Sequence, residues 1–254
     1  MSDSFDGFIK RPGDGEVEEA IRRHCAKYGR DPLDAIKAFP VLARRQWLKR
    51  FMAHSDLFRL TIDLPGDIAE LGVFRGFDLL TWANLLEAYA IGNRTKTVWG
   101  FDNFEGFTSI DAQDGPPDPA TQRVPGGYSP RAHREELLDA IAIFDSDRFI
   151  PQKPRIRLVE GDIALTVPRF VEENPGVRFS LVHFDCDLYA PTRAALEPLW
   201  GSLVPGGLML FDEYAIKEWP GESRAVDEFL SAHPGLRLKT LSWTNAPAAY
   251  LVKP

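Results

Sequence analysis

The chain has 254 residues, of which 44% are hydrophobic and 26% charged, enough apolar material for one α/β domain with an extension. A formal net charge of −7, with no concentrated Lys/Arg stripe, excludes a face built for phosphate backbones, so no nucleic-acid partner is expected. No window approaches the ~18 apolar residues of a membrane span.

Residues 1–15 are polar and rich in Gly and Asp, which predicts a flexible arm. The start, M-S-D-S-F-D-G-F, carries neither the basic nor the apolar region of a leader. Cys25 and Cys186 form no C-x-x-C, so a reduced, cytoplasmic protein without a membrane partner is expected. Val17–Tyr28 reads as an amphipathic helix stopped by Gly29. Asp31-Pro32 suits the cap and first position of a second helix, and Val41–Leu60 reads as a third. Residues 1–60 are thus a helical extension, which would cover a pocket or build an interface in a homo-oligomer.

Strand and helix then alternate from residue 61 to 254. Candidate strands are Asp67–Gly72, Thr97–Asp102, Arg155–Glu160, Phe179–Asp185 and Leu208–Phe211, with Leu236–Leu241 and Ala248–Val252 closing the sheet. Helices are expected over Asp78–Tyr89, Arg131–Phe144, Ile163–Glu173, Thr192–Leu203 and Ser223–Ala232. This alternation predicts an α/β, doubly wound, mostly parallel sheet. The last two candidate strands are too close for a crossover helix, so the final strand should run antiparallel. Residues 103–130 form a long Gly/Pro-broken stretch after a strand end, a candidate active-site lid.

Several residues cluster at strand ends, where ligands of such sheets sit. Glu70-x-Gly72-x-x-x-Gly76 lies between a strand and a helix, where a glycine turn lets backbone N–H groups approach a ligand. It is not the dinucleotide pattern G-x-G-x-x-G. Asp102 ends the next strand, where an acid suits ribose hydroxyls. Asp162 could reach the adenine side of the same pocket or cap the following helix. Asp185 and Asp187, two apart on S-L-V-H-F-D-C-D-L-Y, face the same way on an extended backbone, and Asp212-Glu213 end the strand expected alongside. Four carboxylates together repel unless a cation is shared. Hard oxygen donors suit Mg²⁺ or Ca²⁺ better than zinc. His183 reads as a satisfied core residue and Cys186 as a small buried one. Trp219-Pro220-Gly221-Glu222 is either a helix entry or part of the site's mouth.

With E-L-G-V-F-R-G, F-D-N-F-E-G-F, H-F-D-C-D-L-Y-A-P-T and P-G-G-L-M-L-F-D-E-Y in that order, the chain resembles the class I S-adenosylmethionine-dependent methyltransferases. More narrowly it resembles the macrocin O-methyltransferase family, which includes the mycinamicin and novobiocin sugar O-methyltransferases. The resemblance spans roughly residues 60–240. It implies a Rossmann-like seven-stranded sheet and Mg²⁺-dependent methyl transfer from S-adenosylmethionine to a hydroxyl of a sugar-containing small molecule. By the same resemblance Glu70, Gly72 and Gly76 hold the methionine part of the cofactor, and Asp102 the ribose. Asp185, Asp212 and Glu213 are then metal ligands and Asp187 the general base. Family members often have two aspartates where this chain has Asp212-Glu213. A catechol-type phenol offers a metal the same bite as a vicinal diol and stays open as an acceptor, as does a non-catalytic cofactor-binding protein.

Overall fold

The computed structural model describes residues 13–254, so the predicted arm over 1–15 lies almost wholly outside the described residues. The chain divides into two compact units, one ending at Lys49 and one running from Arg50 to Pro254. In the first, α1 (Asp14–Lys27), α2 (Pro32–Lys37) and α3 (Phe39–Leu42) follow one another. The Asp31 carboxylate accepts from Asp34 N at 2.8 Å and Pro32 opens α2, the cap-then-proline start expected of this dipeptide. Arg44 is buried with Asp14 and Glu18 as its ion-pair partners. The next helix, α4 (Arg45–Arg59), contributes everything after Lys49 to the second unit.

That unit is built on β1 (Asp67–Leu71), β2 (Val98–Asp102), β3 (Ile156–Glu160), β4 (Phe179–Phe184), β5 (Leu203–Phe211) and β6 (Ala249–Val252). Their order is β3-β2-β1-β4-β5-β6, parallel except for β6 against β5. Between β1 and β4 the order reverses direction, and the crevice beyond their carboxyl ends is where such sheets bind ligands. Side chains alternate across β1 and β4, so each strand feeds both faces. Ala69, Leu71, Val182 and Phe184 pack with α7 (Ile163–Glu173), α8 (Tyr189–Ser202) and α9 (Pro220–Ala232). Ile68 and Leu181 pack with the end of α4, with α5 (Phe77–Tyr89) and with α6 (Arg134–Asp147). Trp82 of α5 is wholly buried there. Each such large apolar side chain contributes roughly 1.5–3 kcal/mol.

The sheet has six strands rather than the predicted seven. Leu236–Leu241 supplies a single bridge, Lys239 to Tyr250, with both N–H···O contacts at 2.8 Å. Pro234-Gly235 holds the chain in a turn just before it, and Ser242-Trp243 turns again just after, leaving no length for a ladder. β5 is longer than predicted because Pro205 and Gly206 (φ 80°) sit in a bulge, where the register jumps from Phe179–Leu203 to Leu181–Leu208. Among the described residues no helix is long and apolar enough to cross a membrane.

At the amino-terminal edge of the sheet, buried polar groups are fully used. Lys96 Nζ donates to Gly66 O at 2.8 Å and Ser180 Oγ at 2.7 Å. Asp67 accepts from Thr97 N at 2.9 Å and from Trp99 Nε1 at 2.7 Å.

Residues 103–130 are well structured without being regular. Short 3₁₀ turns occupy Ala112–Asp114 and Pro119–Thr121, and a bridge joins Asp118 to Arg123. The Arg123 guanidinium donates to Glu218 O and, at 3.1 Å, to Pro116 O. Asp114 Oδ1 accepts from Tyr189 N at 2.7 Å and so caps α8, whose own N-cap Leu188 has no side-chain acceptor.

Candidate active site

The glycine turn after β1 is set by close backbone packing. Gly72 has φ 91°, and a Cβ there would fall 1.9 Å from Asp185 O. Only glycine lets the ends of β1 and β4 meet, where Asp185 N donates to Leu71 O at 2.8 Å. Gly76 (φ 88°) precedes α5, and a Cβ there would strike Leu137 Cδ1 at 2.3 Å. Asp102 faces this turn: its Oδ2 accepts from Val73 N and Phe74 N, each at 2.8 Å, and its Oδ1 from Phe104 N at 2.7 Å. Burial raises its pKa, and those backbone donors oppose the rise. Asp162 caps α7, accepting from Ala164 N at 2.9 Å, with Thr108 Oγ1 at 3.4 Å from its other oxygen.

Glu70 lies opposite His183 across the β1–β4 pair, on the sheet face toward α4 and α5. Both are wholly buried. Glu70 Oε2 accepts from Trp82 Nε1 at 2.7 Å and lies 3.0 Å from His183 Nδ1. Burial lifts Glu70 to about 7, against the pull of His183. His183 is itself held well above its ordinary value: burial acts downward, but Glu70 and Asp212 outweigh it.

Asp185, Asp187 and Glu213 come together, with ligand atoms within 4.8 Å of one another. Strand alternation is not what joins the two aspartates. β4 ends at Phe184, and Asp187 sits at φ 61° in a tight turn closed by Leu188 N to Cys186 O at 2.6 Å. Burial, then Asp212, pushes Asp187 up to about 8. Glu213 is raised by burial and by Asp187 and Asp212, and its Oε2 is buried without a hydrogen bond. Glu222 of α9 adds a further buried carboxylate behind them, its Oε1 accepting from Glu213 N at 2.9 Å.

The fourth predicted acid, Asp212, turns instead toward cationic groups that the sequence reading left out. Arg50 of α4 reaches Asp78 Oδ2 at 2.5 Å, Asp185 Oδ2 at 2.9 Å and Asp212 Oδ2 at 3.4 Å. Burial opposes its charge, yet Asp212, Asp78 and Asp185 hold its pKa well above the usual value. Asp212 Oδ1 lies 3.5 Å from His183 Nε2. Arg50, His54 and Asp78 sit on helices, where spacing along a strand gives no hint of them. The available signal was the i, i+4 pair Arg50–His54 on the same stripe as buried Leu57.

Beside the acids stands an aromatic wall. Tyr128 lies 5.7 Å from Trp219, 5.4 Å from Phe107 and 5.9 Å from Phe74, ring centre to ring centre. Its hydroxyl is raised by burial and then by Asp187 and Glu213, which places it against the same charge. Trp219 directly precedes α9, as the helix-entry reading expects, and its ring packs in this wall.

The model of the macrocin O-methyltransferase family matches residues 44–241. The chain belongs to that family. It is similar to the mycinamicin III 3''-O-methyltransferase of Micromonospora griseorubida, 29% identical over 170 residues that cover 67% of this chain and 62% of the relative. The 8-demethyl-8-(2,3-dimethoxy-alpha-L-rhamnosyl)-tetracenomycin-C 4'-O-methyltransferase of Streptomyces olivaceus is also 29% identical, over 60% of this chain and 54% of its own length. The chain thus spans less than two thirds of these curated relatives. The crystal structure of CalS11, a calicheamicin methyltransferase, superposes with a TM-score of 0.87 at 30% identity, covering 99% of both chains. The apo structure of CalS11, a TDP-rhamnose 3'-O-methyltransferase, gives 0.77 at 32% identity over 96% of both.

Proposed function

We propose that this protein is an O-methyltransferase that moves a methyl group from S-adenosylmethionine to a sugar hydroxyl of a natural product or its activated precursor, with Mg²⁺ as metal. The observation that carries this reading is the crowd of carboxylates at the carboxyl ends of β4 and β5, beside a glycine turn and Asp102, in a chain of this family. Sugar acceptors are favoured by the names of two relatives, one carrying a rhamnosyl-tetracenomycin-C substrate and one TDP-rhamnose.

The donor set fits a hard divalent ion. All its atoms are carboxylate oxygens, Glu213 Oε2 is buried without a partner, and burial and mutual repulsion raise the pKa values of Asp185, Asp187 and Glu213. Asp185 and Glu213 would hold the ion, with Asp212 completing the set once Arg50 yields its oxygen. When bound, Mg²⁺ lowers the pKa of a coordinated hydroxyl, and S-adenosylmethionine supplies the electrophilic methyl. Asp187 receives the hydroxyl proton at its carboxylate. Glu70 sits one layer behind the turn; with no exposed atom, it orients His183 rather than touching a cofactor. Asp102 keeps the Val73–Phe74 amides turned to one point and presents its remaining lone pairs to ribose hydroxyls. Residues 103–130 and the aromatic wall exclude water, and Tyr128 and Trp219 offer flat faces for the apolar side of a sugar ring.

The test is incubation with S-adenosylmethionine and a panel of nucleotide-linked deoxysugars, with Mg²⁺ or with a chelator, read by mass spectrometry. Methyl gain on a sugar only with Mg²⁺ is the expected result. Methylation confined to catechols, or none despite saturable S-adenosylmethionine binding, would overturn the acceptor assignment.

A further inference from the structure

Asp187 sits on a backbone that a residue other than glycine does not hold by itself. Its φ of 61° lies in the left-handed region, a conformation that persists only where the surroundings fix it. On the entry side, Asp185 N donates to Leu71 O at 2.8 Å, and within the turn Leu188 N donates to Cys186 O. On the exit side the holder comes from a remote part of the chain. Tyr189 N, two residues past Asp187, donates at 2.7 Å to Asp114 Oδ1, which is 75 residues away in sequence. Thr192 Oγ1 closes the same corner by donating to Leu188 O at 2.7 Å.

Asp114 does more than cap α8. It is 1% exposed, and its other oxygen accepts from Asp111 N at 2.9 Å, so the carboxylate is fixed within its own 3₁₀ turn. The same carboxylate abuts the first turn of α9. A Cβ on Gly221 would fall 1.7 Å from Asp114 Oδ1 and 2.7 Å from Tyr189 N, so only glycine leaves room for this contact. Gly221 adjoins Glu222, whose Oε1 accepts from Glu213 N at 2.9 Å. One buried carboxylate thus stands where two loops meet: β4–α8, which carries Asp187, and β5–α9, which carries Glu213. Arg123 adds a second tie to the latter loop by donating to Glu218 O.

We propose that Asp114 is a positioning residue for methyl transfer, holding the Asp187 turn in place beside Glu213 through Tyr189 N and the entry of α9. This inference deepens the methyltransferase reading above and rests on it. Asp114 acts through Asp187 and not on the acceptor, and residues 103–130 are then a strut for the catalytic base as well as a cover. A displacement of about 1 Å at such a group can cost roughly 100-fold in rate.

The test is a double-mutant cycle of Asp114→Ala and Asp187→Asn in the full-length chain, with S-adenosylmethionine, Mg²⁺ and whichever nucleotide-linked deoxysugar or catechol the wild type methylates. Alone, Asp114→Ala should lower kcat by about 10–100-fold, while the KM for S-adenosylmethionine stays within about twofold. In the Asp187→Asn background it should add less than about threefold, because the group it positions is already gone. Asp114→Asn removes the charge but keeps an acceptor for Tyr189 N, and should restore kcat to within about fivefold of the wild type. Hydrogen exchange at the Tyr189 amide should quicken in the alanine variant and not in the asparagine one. Should Asp114→Ala fail to fold, Asp114→Ser, whose hydroxyl falls short of Tyr189 N, takes its place in the cycle. An equal loss in both backgrounds, or a kcat unchanged by Asp114→Ala, would overturn the proposal and leave the methyltransferase reading standing. A wild type that methylates neither class of acceptor would overturn both.

Discussion

The two ends of the same strands treat buried charge in opposite ways. At the amino-terminal edge, Lys96 is only 5% exposed yet has two close acceptors, and Asp67 takes two N–H donors. At the carboxyl ends, Glu70, Asp212, Glu213 and Glu222 each keep an oxygen buried without a hydrogen bond, and His54 and His183 each keep a nitrogen so. Buried polar groups are ordinarily satisfied, and local exceptions concentrate where a protein does its chemistry. The first end satisfies its buried charge from within the chain, and the second leaves oxygens open for the divalent ion proposed above.

That contrast can be broken most forcefully at Asp187. Asp187→Asn should lower kcat by about 10²–10⁴, the usual worth of a positioned base. The metal-free protein should meanwhile melt at a higher temperature, because one repelling carboxylate is gone. A loss of activity accompanied by a lower melting temperature would mean that the cluster is structural. Gly72→Ala tests the junction itself: a Cβ 1.9 Å from Asp185 O must separate β1 from β4. We expect a loss of more than about 3 kcal/mol in urea unfolding, since backbone strain and a core clash act together.

Smaller effects sharpen the other side. Lys96→Met should remove about 1–3 kcal/mol by stranding its acceptors, while kcat stays within twofold or so. Asp114→Ala should cost about 0.5–2 kcal/mol as the cap of α8 is lost, and limited proteolysis should then cut within 103–130. The smallest signal is a pH slope. Burial pushes Lys96 down to about 8, with Asp67 acting the other way, against about 10.4 in an unfolded chain. Between those values the unfolded chain binds more protons, so this lysine makes stability rise with pH. The difference in urea midpoint between the wild type and Lys96→Met should accordingly grow from pH 8 to pH 10. A constant difference would show that the lysine is not desolvated.

What could be read from the sequence was what repeats along a strand or stops one. Apolar runs ending in Asp102, Asp185 and Asp212 marked the carboxyl ends of β2, β4 and β5, and Gly72 and Gly76 marked the turn. The strand Leu236–Leu241 failed because composition cannot report that turns on both sides leave room for a single bridge. Arg50, His54 and Asp78 were hidden for a different reason. Their roles come from α4 and α5 packing across the sheet, a long-range event without a local pattern. His183 was visible but set aside as a core residue. It is indeed in the core, and what changes its meaning is Glu70 directly across the β1–β4 pair.

The measurement that bears most directly on the account is the melting temperature of the metal-free protein as Mg²⁺ is added, for the wild type and for Glu213→Gln. Binding to the folded state alone should raise the wild-type value steadily with the logarithm of Mg²⁺ concentration, and the variant should stay flat. A flat wild type, or the same climb in Glu213→Gln, would contradict the claim that these carboxylates are gathered to hold a divalent ion.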